Sequence, residues 1–190
     1  MKQLLFLIVP VLFLVSCNKK PAEEKNTLTP RQAAISRIDS VENSIRSSIK
    51  KQEDPDVTLA MKAIRNYTYF AADFPRDTLS PGYLFKAAQL YEGVLRDLPK
   101  AAQIYGDIYK LYPDYKNRPM MLFHQGNTLI DMQDTSRASL KLRTFIRDYP
   151  KHPFADDAAG LLKLMHMTPE QMEAYFQRSA QEQGGSVQNK

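Results

Sequence analysis

Three prolines, each directly preceded by an aromatic residue, recur at intervals of 38 and 37 residues, at Phe74-Pro75, Tyr112-Pro113 and Tyr149-Pro150. Large apolar residues stand five and eight positions before each proline, and alanine stands twelve positions before it. With the aromatic residue, these steps of four and three keep the positions on one face of a helix. Because proline cannot continue a helix and disfavours helical geometry in the preceding residue, each pair is predicted to end a helix. The spacing therefore predicts one helical unit used three times.

A second repeated face lies between these prolines. Leucine and phenylalanine stand nine and ten positions after each of the first two prolines, at Leu84-Phe85 and Leu122-Phe123. Four positions after the leucine, both copies have a small residue, Ala88 or Gly126. A small residue there lets two helices approach closely. Each repeat is therefore predicted to contain two helices packed as a hairpin.

Capping residues locate the helix starts. Thr29 and Thr168 each precede a proline and stand three positions before a glutamine, a combination typical of the first turn of a helix. Asp134 is predicted to cap the helix that contains Ala138. We predict helices at 30–52, 56–73, 81–95, 99–112, 118–131, 135–149, 154–165 and 169–182.

The repeated positions resemble the tetratricopeptide repeat (TPR). That repeat has a small residue at its eighth position, a bulky one at the eleventh, alanine at the twentieth, an aromatic at the twenty-fourth and proline at the thirty-second. The best copy runs from Pro119 to Pro150, and the resemblance covers roughly residues 56–165. Its style is similar to that of outer-membrane TPR lipoproteins of the BamD and CpoB (YbgF) type.

The resemblance implies an all-α fold, a TPR-like helical-hairpin solenoid of about two to three repeats. We expect an N-terminal helix within 30–53, repeats over 56–166, a C-terminal capping helix within 167–183 and a disordered tail at 184–190.

TPR proteins hold a partner's peptide or helix in a concave groove lined by the first helix of each hairpin. Carried over position by position, the resemblance implies that this partner-binding groove consists of Phe85, Gln89, Glu92, Met120, Phe123, Asn127, Ile130 and Asp131. The equivalent Phe85 and Phe123 are expected to form an aromatic row beside Met120. Two interpretations of the row remain: an open site for an apolar partner segment, or a row covered by helix 30–52 or by the C-terminal helix.

The first seventeen residues have the features of a bacterial lipoprotein signal. Lys2 precedes an apolar run of about a dozen residues, whereas a membrane-spanning helix needs ~20. Leu14-Val15-Ser16-Cys17 resembles the lipobox, which implies that residues 1–16 are removed and that Cys17 carries lipid. Cys17 is the only cysteine, so it has no partner for an internal disulfide. The alternative is an ordinary signal peptide whose apolar run ends in cysteine by chance.

Residues 17–29 are predicted to be the lipidated cysteine and a polar tether, because this stretch has too little apolar content to fold. Asn18 lacks the aspartate that retains enteric lipoproteins at the inner membrane. Lys19 and Lys20 differ from the acidic residues that follow the cysteine in many surface-exported lipoproteins. We therefore expect a lipid-anchored protein on the periplasmic side of the outer membrane.

The first helix has a different pattern from the repeats. Apolar and small residues follow a four-three-four-three spacing, a short heptad seam, at Ala34, Ile38, Val41, Ile45 and Ser48. We favour packing of this seam on the first repeat hairpin. The alternative is a short coiled coil that joins copies of the chain into a homo-oligomer through helix 30–53.

The sequence contains no recognisable catalytic or metal-binding pattern. The histidines, His124, His152 and His166, are too far apart for a helical pair of metal ligands, and neither a phosphate-binding glycine loop nor a nucleophile elbow occurs. The formal charge of +5 is spread among alternating acidic and basic residues, which does not favour nucleic-acid binding. We expect no enzyme activity and no cofactor.

Two functions remain. The first is a non-enzymatic scaffold or adaptor that binds other envelope proteins, in outer-membrane assembly or cell-envelope organisation. The second is a peptidoglycan- or glycan-binding accessory lipoprotein. Sugar sites favour tryptophan and tyrosine platforms, but tryptophan is absent and most tyrosines occupy repeat core positions, so the adaptor is preferred.

Overall fold

The computed structural model describes residues 28–186, and its regular structure within that range is entirely helical. Eight helices follow one another: α1 (Pro30–Lys50), α2 (Val57–Asp73), α3 (Ser80–Gly93), α4 (Leu98–Leu111), α5 (Arg118–Asp131), α6 (Thr135–Asp148), α7 (Ala155–Leu164) and α8 (Pro169–Ser186). The predicted all-α fold is confirmed, and the first seven helices begin and end within two residues of their predicted limits.

The helices stack in chain order. Extensive contacts join helices that are neighbours in sequence, from α1 with α2 to α6 with α7. The pairs α1–α2, α3–α4 and α5–α6 form hairpins one, two and three, which confirms the TPR-like helical-hairpin solenoid. Among the described residues, α8 has no contact of this extent with another helix.

The three aromatic-proline pairs form one kind of turn. In each, the N–H of the residue three positions after the aromatic donates to the aromatic's own carbonyl, with distances of 3.0, 3.2 and 3.0 Å for Asp77, Tyr115 and His152. The aromatic ring packs back on its own helix, with centroid distances of 5.0 Å for Phe74–Phe70 and 5.9 Å for Tyr149–Phe145. The repeated sequence is therefore a repeated helix stop.

A second kind of turn joins the two helices within hairpins two and three. Arg96 and Gln133 adopt positive φ values of 55° and 61°, which lets the chain reverse in few residues. An aspartate follows each and caps the next helix: Asp97 accepts from the Lys100 N–H at 3.1 Å, and Asp134 from the Arg137 N–H at 3.0 Å. The predicted cap at Asp134 is confirmed.

The two outermost helices begin with the predicted capping arrangement. The Gln32 N–H donates to Thr29 Oγ1 at 3.2 Å, and the Thr29 N–H donates to Gln32 Oε1 at 2.9 Å. Thr168 and Gln171 repeat both bonds at the start of α8. The helix then continues to Ser186, four residues beyond the predicted end and into the tail predicted at 184–190. No proline follows Pro169 in the sequence, so the backbone ladder is not interrupted there.

The repeat positions read from the sequence form the core between the helices. Three residues of each second helix are buried, namely Ala63, Tyr67 and Phe70 in α2, Ala101, Tyr105 and Ile108 in α4, and Ala138, Leu142 and Phe145 in α6. The predicted small residues mark close contacts. Ala88 is fully buried, and a Cβ on Gly126 would lie 2.8 Å from Leu142 Cδ2.

The heptad seam of α1 packs against α2, its partner in hairpin one, and against the first half of α3. Ala34, Ile38 and Val41 are buried in a cluster with α2 and α3 residues, and Ile45 is partly buried against it. This is the interpretation favoured from the sequence. One turn beyond Ile45, Ile49 is 69% exposed, so the apolar stripe of α1 leaves the core before the helix ends.

Candidate functional site

The two phenylalanines of the predicted aromatic row differ in burial. Phe85 is half-buried beside His124 and Tyr105, with ring centroids 5.2 and 5.9 Å away. Phe123 is only 8% exposed, because it packs against Phe145 and Phe154 with centroid distances of 5.8 and 5.3 Å. Phe123 is therefore covered by the residue that precedes α7, and neither helix 30–52 nor the C-terminal helix is needed to explain its burial.

Glu92, another predicted groove residue, is committed to internal hydrogen bonds. Its carboxylate accepts from the Tyr105 hydroxyl at 2.9 Å and from the Thr128 hydroxyl at 2.7 Å. Both donors are fully buried. Burial and the neighbouring Glu92 carboxylate together raise the pKa of Tyr105, which therefore stays a neutral donor. Glu92 joins hairpin two to hairpin three.

The remaining predicted residues differ in their exposure. Gln89 and Asp131 are exposed, while Met120, Asn127 and Ile130 are half-buried. The Asn127 Oδ1 atom is buried and has no hydrogen-bond partner among the described residues. The eight predicted residues therefore do not form one continuous open groove between α3 and α5.

The first helices of hairpins one and two leave an open cleft between them. It encloses about 330 Å³, and Tyr67 of α2 lies at its base. Its walls, which define the α1–α3 cleft, are Ile45, Arg46 and Ile49 from α1 and Lys86, Gln89 and Leu90 from α3. Gln89 is the one residue of the predicted groove that lines it. The open space thus lies between the first helices of hairpins one and two, whereas the predicted groove lay between those of hairpins two and three.

A smaller cavity of about 200 Å³ adjoins the α1–α3 cleft at the end where both helices terminate. The two spaces share Ile45, Ile49 and Leu90, and Leu59 and Val94 extend the apolar lining. The loop between α1 and α2 closes this end cavity with acidic residues, Glu53, Asp54 and Asp56. The cleft and the end cavity therefore share an apolar wall, and the two together are called the apolar channel.

A charge network fixes the base of the cleft. Glu42 Oε1 accepts from the Tyr67 hydroxyl at 2.9 Å and from Lys86 Nζ at 2.7 Å. Burial and this bond to Glu42 raise the pKa of Tyr67. Lys86 Nζ also lies 5.9 and 5.6 Å from the ring centroids of Tyr67 and Tyr83. Lys86 is therefore held in place by contacts within the protein.

Arg46 differs from Lys86, because it makes no ion pair with any described residue. It lies on the exposed side of α1, one residue after Ile45. An exposed guanidinium beside an apolar channel can donate to a carboxylate from outside the chain. The α1–α3 cleft therefore combines apolar walls with one available cation.

Three larger concavities lie elsewhere among the described residues. One, of about 560 Å³, lies between the Pro75 turn and the Pro113 turn, and one of about 570 Å³ lies between the outer face of α2 and the end of α3. The third, of about 340 Å³, is lined by α4, α5 and α6. None of them lies between two first helices. The α1–α3 cleft is the better candidate because an exposed isoleucine borders the same space as an arginine that makes no ion pair within residues 28–186.

The residues from 28 to 186 include no group of three or more histidine, cysteine, aspartate or glutamate side chains placed to hold a metal ion. No helix within that range has the length and apolar character needed to cross a membrane. Cys17 and the signal segment lie outside the described residues, so the predicted lipidation stays a prediction.

Sequence reasoning missed the residues that α1 contributes to the site. The predicted seam of α1 ended at Ser48, whereas Ile49 continues the apolar stripe of the helix beyond the core. The signal was present, because Ile49 lies four residues after Ile45 and on the same face of the helix.

Residues 83–115 match the model of the family described as "Tetratricopeptide repeat". The match covers α3 from Tyr83 onward, all of α4 and the start of the turn that follows, which is most of hairpin two with its helix stop. No curated protein and no solved structure matches the chain.

Proposed function

We propose that this chain, which contains a tetratricopeptide repeat, is a non-enzymatic adaptor lipoprotein that binds other cell-envelope proteins through the α1–α3 cleft. TPR units form protein-interaction scaffolds, and the observation that carries the proposal is an open apolar cleft between two first helices of the stack. The adaptor would act in outer-membrane assembly or cell-envelope organisation.

The proposed address rests on the sequence of the N-terminus. Leu14-Val15-Ser16-Cys17 resembles a lipobox, and several acyl chains on Cys17 would anchor the protein durably. The residues after the cysteine favour the periplasmic side of the outer membrane. The polar tether would then hold the helical stack next to that membrane.

Cell fractionation tests the anchor. Cys17→Ser is expected to move the protein from the membrane fraction to the soluble fraction, and Ser16→Ala, which keeps the cysteine, serves as the control. Unchanged membrane attachment of Cys17→Ser would contradict the proposed lipidation.

Crosslinking in living cells tests the adaptor role. A photo-reactive amino acid at position 49 should form adducts with one or a few envelope proteins, whereas the same group at position 140, on exposed Leu140 of α6, should not. Sedimentation with purified peptidoglycan separates the two sequence-based functions. Firm co-sedimentation without protein adducts would replace the adaptor with a peptidoglycan-binding accessory protein.

A further inference from the structure

We infer that the partner of the α1–α3 cleft is a protein segment with adjacent apolar side chains, flanked by a carboxylate on one side and a cation on the other. This inference rests on the proposed adaptor function and specifies the chemistry of its partner. It follows from the apolar lining of the channel and from the opposite charges at its two ends.

The middle of the channel requires apolar side chains. Ile45, Ile49 and Leu90 line both the cleft and the end cavity, so a segment lying along α1 would contact them in succession. Ile49 is 69% exposed, and covering it would remove a large apolar area from water. The end cavity of about 200 Å³ has room for an aliphatic side chain of the partner.

The cleft end of the channel favours a carboxylate. Arg46 and Lys86 both line it. Lys86 is held by Glu42 at 2.7 Å, which leaves Arg46 as the cation available to the partner. Gln89, exposed on the facing wall, adds an amide that can donate to the same group.

The other end of the channel favours a cation. Asp54 lines the end cavity and makes no ion pair within the described residues, whereas the nearby Asp56 carboxylate is used by the Thr58 and Leu59 N–H groups. Val94, at the C-terminal end of α3, lines the same cavity, and α1 ends beside it at Lys50. The C-terminus of α3, whose last turn has no basic residue, adds its partial negative charge to that of Asp54, whereas Lys50 offsets the partial charge at the end of α1.

Opposite charges at the two ends also set the direction of the partner. A segment with its carboxylate beside Arg46 has its cation beside Asp54, and the reversed segment meets two like-charge contacts. Such an arrangement gives specificity as well as affinity, because the wrong register is repelled.

Selection from a displayed library of random peptides tests the inference without knowledge of the natural partner. The bait is the chain without its signal segment and lipidated cysteine, residues 18–190, with its helicity checked by circular dichroism. Enriched peptides should share adjacent apolar residues with an acidic residue on one side and a basic residue on the other. Synthetic copies should then bind the wild-type chain in fluorescence anisotropy.

Three variants assign the binding to the channel. Ile49→Asp should weaken the enriched peptides at least ~10-fold, because a hot-spot contact is lost from an exposed position. Leu140→Asp, an equally exposed change on α6, should leave their affinity unchanged. Arg46→Glu should weaken binding several-fold and should be compensated by peptides in which the acidic residue is replaced by lysine.

Two outcomes would overturn the inference. Enriched peptides that bind Ile49→Asp as well as wild type would place recognition elsewhere, and peptides without the flanking charges would remove the charge argument. Both leave the adaptor proposal intact if position 49 or another first-helix position crosslinks to envelope proteins in cells. Absence of crosslinked proteins together with absence of enriched peptides would reject the adaptor function itself.

Discussion

Hairpins two and three make the same backbone turns, but the side chains that pair between their helices differ in polarity. Both reverse through a residue of positive φ and an aspartate cap, and both end at a tyrosine before proline. In hairpin two, Tyr105 is buried and donates to Glu92. In hairpin three, the equivalent positions are Leu142 and Ile130, which lie in one apolar cluster. One fold is thus stabilised by a polar pair in one copy and by an apolar pair in the next.

The difference extends to the contact between hairpins. Lys86 in α3 pairs with Glu42 of the preceding hairpin. The equivalent residue in α5 is His124, which stacks on Tyr105 at 5.3 Å between ring centroids and lies near Glu92. The long Lys86 side chain leaves the space between α1 and α3 open, whereas the flat His124 ring fills the corresponding space between α3 and α5. This difference explains why the open site lies nearer the N-terminus.

The largest effect is expected for the two equivalent phenylalanines. Phe123→Ala should lower the free energy of unfolding by ~3–5 kcal/mol, because a buried ring is removed from contact with Phe145 and Phe154. Phe85→Ala should cost clearly less, because Phe85 is half-buried. Urea unfolding followed by circular dichroism measures both. Equal losses would mean that the two phenylalanines are packed alike.

The polar pair of hairpin two should be replaceable by the apolar pair of hairpin three. Glu92→Ile alone leaves the buried Tyr105 hydroxyl without its acceptor, at ~1–3 kcal/mol, whereas the Thr128 hydroxyl can still donate to the His124 carbonyl at 2.9 Å. Adding Tyr105→Leu removes the stranded donor and should recover part of the loss. The double-mutant cycle gives the coupling free energy directly. A coupling of zero would show that the hydrogen bond contributes nothing to stability.

Two helical glycines, Gly126 at a close contact and Gly160 in open space, should respond in opposite directions to substitution by alanine. Gly126→Ala should destabilise the protein by ~1–3 kcal/mol, because the new Cβ would lie 2.8 and 2.9 Å from two Leu142 atoms. Gly160→Ala is the matched control within α7, where a Cβ would meet nothing within 4 Å, and it should stabilise the helix by ~0.5–1 kcal/mol. Thermal unfolding of the two variants compares them. Equal shifts of the same sign would contradict the predicted crowding at Gly126.

The smallest effect concerns protonation of His124. Burial lowers the pKa of His124, and the nearby Glu92 carboxylate only partly opposes this. Because the unfolded chain then binds the proton more readily, stability should fall as pH decreases below about 6.5, the ordinary histidine value. Below the pKa of the folded state the loss should level off.

The groups that face His124 are the rings of Phe85, Tyr105 and Phe123 and the Glu92 carboxylate. His124→Gln should flatten this part of the pH profile, which urea unfolding at several pH values would reveal. A wild-type profile parallel to that of the variant would show that His124 does not contribute.

The architecture could be predicted from the sequence because its determinants are local. Tyr112 and Pro113 end α4 through a turn of a few residues, and Ala101 and Tyr105 lie on one helical face, so spacing alone identifies them. The same reasoning gave the close contact at Gly126. Each of these features depends on residues within one repeat, where helical periodicity fixes the geometry.

The site could be predicted only in part because its determinants cross between repeats. Phe123 is buried by Phe154, thirty-one residues later, and Glu92 is occupied by Thr128 of the next hairpin. The position of one repeat relative to the next depends on side-chain packing, which periodicity does not contain. Packing between repeats also decides which residues stay exposed: Ile49 is left open to solvent because of where the end of α1 lies relative to α3.

The restriction of extensive contacts to sequential neighbours has a mechanical consequence. Helices stacked in this way transmit a pulling force in series, so each interface along the chain bears the same load and the weakest one opens first. Within the described residues α1 is the first helix of the stack, so a pull on the N-terminus acts on its contacts with α2 and α3. If these contacts are the ones that open, detachment of α1 would remove one wall of the cleft while α3 and the helices after it stayed packed, and tension on the N-terminus would dismantle the cleft.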